Sequence, residues 1–210
     1  MGNPFQVVKD FESEVGKYTG APYVVAVNSC TNALFLALKW HKDKTWYGDE
    51  MDWEPRKVCI PKRTYVSVPM QIKLAGFELS FEDLEWRGMY QLKPLPIWDA
   101  ARRFTSGMYR KGDFICVSFH ASKILGIEQG GAILHDNKEA DTWFRRARFD
   151  GRTEGIPPKD DVFDMVGWHM YLSPSVAAQG FLKLYSLPKN NPSMVNDEYP
   201  DLSKAPIFQD

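Results

Sequence analysis

The sequence predicts an α/β fold of three layers, a mostly parallel central sheet with helices on both faces. Three observations carry that expectation. Short apolar runs of strand length alternate along the chain with stretches whose apolar residues recur at helical spacing. The strand-length runs, among them Tyr23 to Val27 and Phe114 to Val117, read as buried strands. Finally, 210 residues with 44% hydrophobic composition suffice for one α/β domain with a sizeable core, but not for two generous domains.

The elements follow in order. Phe5, Val8, Phe11, Glu12, Val15 and Tyr18 form a mostly apolar helical stripe that Gly20 and Pro22 end. Tyr23 to Val27 is a strand, and Thr31 to His41 the helix after it. His41 to Arg56, polar and bearing tryptophans, reads as a loop or insertion before the strand Lys57 to Pro61. A helix from Val66 to Ala75, a strand from Phe77 to Phe81 and an irregular segment from Glu82 to Pro94 come next. Strands ending at Trp98 and Phe119, a strand Ala132 to His135 and a helix Lys138 to Phe149 complete the βα succession. Gly155 to Asp161 is a loop by composition, and Ser175 to about Tyr185 a short helix. Residues 1–186 thus form the domain. Residues 187–210, rich in Pro, Asn and Asp, are expected to be an extended tail, ordered against a neighbour.

Bulk charge excludes some functions. The net charge of −1, with signs interspersed, lacks the basic stripe of a nucleic-acid or membrane-surface binder. Arg145, Arg146 and Arg148 read as a solvated helix face. No signal-like or membrane-spanning apolar run is visible, so a soluble, cytoplasmic protein is expected. Cys30, Cys59 and Cys116 are odd in number and widely spaced, and the four histidines are scattered, so no metal and a reducing compartment are expected.

The chemistry concentrates at strand ends. Asp99 closes the apolar run Leu95 to Trp98, and Lys123 follows Phe114 to Val117 within Ser118-Phe119-His120-Ala121-Ser122-Lys123, ahead of Gly130-Gly131. Open α/β sheets place ligands beyond the C-terminal ends of their strands. A carboxylate and a primary amine meeting there suit a cofactor that carries a basic ring nitrogen and an aldehyde: the acid keeps the ring protonated while the amine forms a Schiff base. Pyridoxal phosphate is that cofactor. Taken singly, Lys123 also reads as a solvated loop lysine and Asp99 as a helix cap. Between a strand and a helix, Asn28-Ser29-Cys30-Thr31 reads either as an ordinary N-cap or as a phosphate turn of free N–H groups and the hydroxyls of Ser29 and Thr31. Ser118 adds another hydroxyl, and Tyr65 reads as a stacking aromatic or as simple packing.

Together these pieces resemble the DegT/DnrJ group of sugar aminotransferases, pyridoxal-phosphate enzymes of fold type I. The resemblance runs through Phe11 to Leu38, Val58 to Phe81, Trp98-Asp99-Ala100-Ala101, Ser118 to Gly131, and Gly167-Trp168-His169-Met170-Tyr171-Leu172-Ser173. It implies the large domain of that fold. It also implies Lys123 as Schiff-base lysine, Asp99 as partner of the pyridine nitrogen, Thr31 with Ser118 and backbone near Cys30 on the phosphate, and Tyr65 as the ring-stacking aromatic. His120 falls within the lysine segment. The later element implies a homodimer with shared sites, in which His169, where the family has asparagine, reaches the neighbour's cofactor.

The sequence departs from the family in three ways. Arg102 stands where Gln or His usually sits near the cofactor's phenolic oxygen, Tyr171 where the family has Arg, and the chain covers little beyond the later element. The implied activity is transfer of an amino group from an amino acid such as glutamate to a keto sugar, nucleotide-linked. Decarboxylation or elimination on the same cofactor, and a cofactor-binding protein without turnover, are the alternatives.

Overall fold

A computed structural model describes residues 3–45, 56–196 and 198–209. Its elements are α1 (Gln6–Thr19), β1 (Tyr23–Val27), α2 (Cys30–Thr45), β2 (Lys57–Pro61), α3 (Ser67–Leu74), β3 (Glu78–Glu82), β4 (Tyr90–Gln91), β5 (Ile97–Ala100), β6 (Phe114–Ser118), β7 (Gly131–His135), α4 (Lys138–Ala147) and α5 (Pro174–Ser186). Helix α2 runs four residues past the expected His41, and the remainder of the expected loop, residues 46–55, lies outside the described residues.

Strand alternation divides the core into two faces. Val25, Val27, Ile97, Cys116 and Ile133 pack with side chains of α2, α3 and α4, while Val24, Ala26, Ile115, Val117 and Leu134 pack with Val8, Phe11 and Val15 of α1 and with Ala177 and Leu184 of α5. The three layers and the two helical faces are therefore present. Strand direction is mixed, which corrects the expectation of a mostly parallel sheet. The order β1-β7-β6-β5-β4 contains one parallel pairing, β5 with β6, and three antiparallel ones. Strands β2 and β3 form a separate parallel ladder, joined to β4 by a single bridge in which Cys59 and Lys93 exchange backbone hydrogen bonds of 2.8 and 3.0 Å. The apolar runs report burial, and burial is blind to strand direction.

Capping follows the usual chemistry. Gly20 ends α1 in the left-handed region, φ 81°, with its N–H on the Gly16 carbonyl at 2.8 Å. Asn137 caps α4 by accepting from the Ala140 amide at 3.0 Å, with Glu139 and Asp141 in the first turn and Arg145 and Arg146 in the last. Those arginines are not simply a solvated face. Arg145 reaches Glu12 of α1 at 2.7 Å, and the buried Arg148 bonds Glu12 and, at 2.5 Å, the Ala26 carbonyl of β1. Burial pushes the Glu12 carboxyl up, but Arg148 and Arg145 more than offset it and hold it below its ordinary value. This cluster pins α1, β1 and α4 together at the strand that delivers Asn28 and Ser29.

The tail also differs from expectation. Residues 187–196 and 198–209 lie against their own domain. Asn191 donates to the Phe104 carbonyl at 3.2 Å and Tyr18 Oη at 2.7 Å, Met194 N–H donates to the Arg102 carbonyl at 2.9 Å, and Leu202, buried, donates to the Lys62 carbonyl at 2.8 Å.

Candidate active site

Strands β5 and β6 are adjacent and parallel, so their C-terminal ends bring Asp99 and the Lys123 loop to one edge. Asp99 is 4% exposed, and both its oxygens are used: Oδ1 accepts the Ala101 amide at 2.9 Å, and Oδ2 accepts the Tyr90 hydroxyl at 2.9 Å. Tyr90 stands directly opposite Asp99 in the β4–β5 register, which explains the contact. The Tyr90 hydroxyl also meets Thr64 Oγ1 at 2.6 Å, and all three side chains are buried.

Electrostatics link the acid to the amine. Burial pushes the Asp99 carboxyl up, and the Ala101 amide, the Tyr90 hydroxyl, Lys123 and Arg102 pull it back part of the way. Burial, then Arg102, lower the Lys123 amine below the ordinary lysine value while Asp99 opposes them. Half-buried in a turn whose Lys123 N–H bonds the His120 carbonyl at 2.8 Å, the amine is shifted toward the neutral, nucleophilic form.

The phosphate-turn residues sit at the start of α2. Ser29 Oγ accepts the Asn32 amide at 3.1 Å, so the N-cap reading holds. Thr31 Oγ1 lies 2.9 Å from Ser67 Oγ at the start of α3, so two helix N-termini and two hydroxyls converge. Such termini present free N–H groups and favour anions. Gly131 holds this turn against the sheet: a Cβ there would lie 2.5 Å from the Cys30 nitrogen and 2.7 Å from the Ser29 carbonyl carbon. Cys30 is buried, with its thiol on the Cys116 carbonyl at 3.6 Å, and burial, then Asp99, push that thiol well up. Ser118, buried at the end of β6, accepts the His120 amide at 3.4 Å.

Asp99, Lys123, Arg102 and Cys30 thus act on one another, and Thr31 and Ser118 lie on the flanking element ends. Arg102 and the remaining expected residues also make contacts outside this group. The Arg102 guanidinium bonds Tyr199 Oη at 3.0 Å and the Val195 carbonyl, and stacks 4.7 Å over the Tyr199 ring, so its hydrogen bonds go to the tail. Tyr65 is 55% exposed, with its ring 6.4 Å from that of Tyr199. His120 is exposed and meets Ser122 Oγ at 3.0 Å. His169, its side chain 70% exposed, pairs with Asp150 at 2.9 Å and with the Tyr171 ring.

The sequence reading omitted Tyr90, Thr64, Ser67, Trp86 and Tyr199. Trp86 packs its edge on Tyr90 at 4.6 Å and stacks near Tyr199 at 6.3 Å, joining the floor of the site to the tail. Ser67 was open to detection, as a hydroxyl in the first turn of an expected helix beyond a strand. The others depend on contacts distant in sequence. Among the described residues no helix is long and apolar enough to cross a membrane, and no three His, Cys, Asp or Glu side chains are grouped to hold a metal.

The profile of the DegT/DnrJ/EryC1/StrS aminotransferase family matches residues 3–109 and 97–194. Over 32 residues, 15% of this chain and 8% of its relative, the sequence is 62% identical to the spore coat polysaccharide biosynthesis protein SpsC of Bacillus subtilis (strain 168). Among solved structures, Helicobacter pylori PseC, an aminotransferase involved in the biosynthesis of pseudoaminic acid, superposes with a TM-score of 0.71 at 14% identity, covering 87% of this chain and 58% of its own. The sugar aminotransferase CalS13 from Micromonospora echinospora gives 0.66 at 17% identity, with coverages of 86% and 61%. The chain therefore spans less than two thirds of the length of these structures, and the likeness to them is one of fold.

Proposed function

Since the chain belongs to the DegT/DnrJ/EryC1/StrS aminotransferase family, we propose that it binds pyridoxal 5′-phosphate and takes part in sugar amination, moving an amino group from an amino acid such as glutamate to a keto sugar, nucleotide-linked. The observation that carries this reading is a buried, doubly hydrogen-bonded carboxylate acting on a depressed lysine amine at the ends of neighbouring parallel strands. The residues fit the cofactor: an acid for a ring nitrogen, an amine for an aldehyde, and a turn with free N–H groups for a phosphate.

Bound pyridoxal phosphate would supply an aldehyde carbon and an electron-withdrawing ring that takes up charge from the substrate's α-carbon. Asp99 would be the residue that holds the ring nitrogen protonated, and its burial would keep water from that contact. Lys123, its amine lowered toward the neutral form, would be the residue that holds the aldehyde and, when free, the base and acid that moves a proton at its Nζ. Ser29, Thr31, Ser67 and Ser118, with the amide near Cys30, hold the phosphate. Tyr65 would be the aromatic that covers the ring, and Arg102, tied to the tail, would place a fixed cation beside Lys123.

The proposal includes a cytoplasmic homodimer whose partner completes each site, the exposed His169 being the residue lent. Borohydride treatment with pyridoxal phosphate and peptide mapping should place the label on Lys123, and Lys123→Ala should take up none. Labelling elsewhere would overturn the assignment. Mixing Lys123→Ala with His169→Ala chains should regenerate one intact site per mixed dimer, whereas a strictly monomeric protein with full cofactor occupancy would refute sharing.

A further inference from the structure

Three buried polar groups stand in a line on the site floor, and the reading above uses only the first: Asp99, the Tyr90 hydroxyl at 2.9 Å from it, and Thr64 Oγ1 at 2.6 Å from Tyr90. We infer that Tyr90 is a positioning residue for Asp99, its hydroxyl, supported by Thr64, holding the carboxylate ionised and in one rotation. The bearing on the ring nitrogen rests on the functional reading above; the effect on Asp99 does not.

The line admits two hydrogen-bonding directions. With Asp99 ionised, the carboxylate only accepts, so Tyr90 donates to Oδ2 and Thr64 donates to Tyr90. With Asp99 protonated, the Ala101 amide still occupies Oδ1, so the proton sits on Oδ2, and the line reverses: Asp99 donates to Tyr90 and Tyr90 to Thr64. Burial pushes the Asp99 carboxyl above its ordinary value, and the charged groups around it pull toward the first direction. Lys123, on the loop after β6, and Arg102, after β5, favour the anion. Cys30 from α2 and Cys116 from β6 face it as neutral thiols, because burial, then Asp99, push both well up. Burial and the adjacent Asp99 also push the Tyr90 hydroxyl well above its ordinary value, so it keeps its proton and remains a donor.

Shape alone does not require this hydroxyl. The Tyr90 ring is packed by Trp86, and phenylalanine would fill the same volume. What the oxygen adds is a bond to a charged acceptor in a water-excluded place, where such bonds are stronger than neutral ones. It also spans a joint, since Thr64 follows β2 while Asp99 lies on β5, and these strands belong to different ladders.

The test uses the cofactor-free full chain labelled with ¹³C at aspartate carboxyls, the Asp99 resonance being the one missing from Asp99→Asn. In Tyr90→Phe the Asp99 carboxyl should titrate about one to two pH units higher than in the wild type. Thr64→Val, which keeps the shape and removes the second donor, should shift it in the same direction by less. Thermal unfolding and near-ultraviolet circular dichroism report whether each variant is folded. An Asp99 titration unmoved in Tyr90→Phe overturns the inference, and if that variant fails to fold, an unmoved titration in Thr64→Val does so. With pyridoxal phosphate added, the pH dependence of the visible absorption should move in the same direction. A wild-type chain that takes up no pyridoxal phosphate overturns the functional reading instead, and the cofactor-free titration still decides the role of Tyr90.

Discussion

The acid side and the phosphate side of the site are built in opposite ways. On the acid side, Asp99, Tyr90 and Thr64 are 4%, 2% and 1% exposed, and each Asp99 oxygen has a donor. On the phosphate side, Ser29, Thr31 and Ser67 are half-buried, and the hydroxyls of Thr31 and Ser67 bond each other at 2.9 Å. A bond between two half-buried hydroxyls can be exchanged for one to a phosphate oxygen at little cost, because each donor trades one acceptor for another. A buried carboxylate cannot trade so freely. One side is committed before a ligand arrives, and the other holds its donors in reserve.

Four experiments break or sharpen this contrast. The largest effect is expected from Asp99→Asn, which removes the charge but keeps the shape. Turnover should fall by about a hundredfold or more, the scale of losing one preorganised electrostatic partner, with the unfolding midpoint little changed because Tyr90 and Thr64 can reverse their donation. Equal turnover in a steady-state assay would remove the acid side from the chemistry. Next comes Gly131→Ala, whose new methyl group meets the backbone of Ser29 and Cys30 rather than a movable side chain. It should destabilise the fold by about 2 kcal/mol or more in urea unfolding, since neither strand nor turn can yield cheaply.

The third experiment separates fold from site by pH. His135 ends β7 beside Tyr23, the first residue of β1, and stacks on Phe114 and Tyr23; burial depresses it from 6.5 to about 4. Because the folded-state value lies below the unfolded one, its contribution is complete above about pH 6.5 and is lost as pH falls toward about 4. The loss should reach about 2 kcal/mol by pH 5. His135→Phe should flatten that acid limb in urea titrations while leaving the Asp99 titration unmoved; a shift in both would show that the two ends of the sheet are coupled. The smallest effect belongs to Ser67→Ala. It should weaken pyridoxal phosphate binding about fivefold, one net hydrogen bond, without altering stability. An unchanged dissociation constant in equilibrium dialysis would leave the phosphate side to α2 alone.

The same contrast governs what the sequence discloses. Asp99 and Lys123 are legible because each follows an apolar run long enough to be a strand, and strand ends are where open sheets collect chemistry. Ser29 and Thr31 are legible because strand, hydroxyls and helix follow one another directly. Tyr90 is not, for β4 is only two residues long, too short to show a period, and its segment Glu82 to Pro94 carries no alternation; Thr64 is not, because its partner Tyr90 lies 26 residues away. Strand direction is equally hidden, because Ile97 to Ala100 and Gly131 to His135 are both buried whichever way they run. The tail misleads through composition. Its Pro, Asn and Asp residues suggest an unattached end, yet Asn191, Tyr199 and Leu202 each find a partner on the domain.

The single bridge between Cys59 and Lys93 has a mechanical consequence. Each ladder resists shear along its own strands, but the line between them is held by one pair of backbone bonds, by side-chain bonds such as Thr64 to Tyr90 and Lys93 to Glu82, and by the packing of α2, on the five-stranded sheet, against α3, on β3. That line passes through the site. Asp99, Lys123 and Thr31 belong to the five-stranded side, while Tyr65 and Ser67 follow β2 on the other. A small rotation about this crease would widen or narrow the gap between the aromatic cover and the acid floor without breaking either ladder. In deuterium exchange, the amides of Cys59 and Lys93 would then exchange before those of Cys116 and Ile133, marking the crease as the axis on which the cleft sets its width.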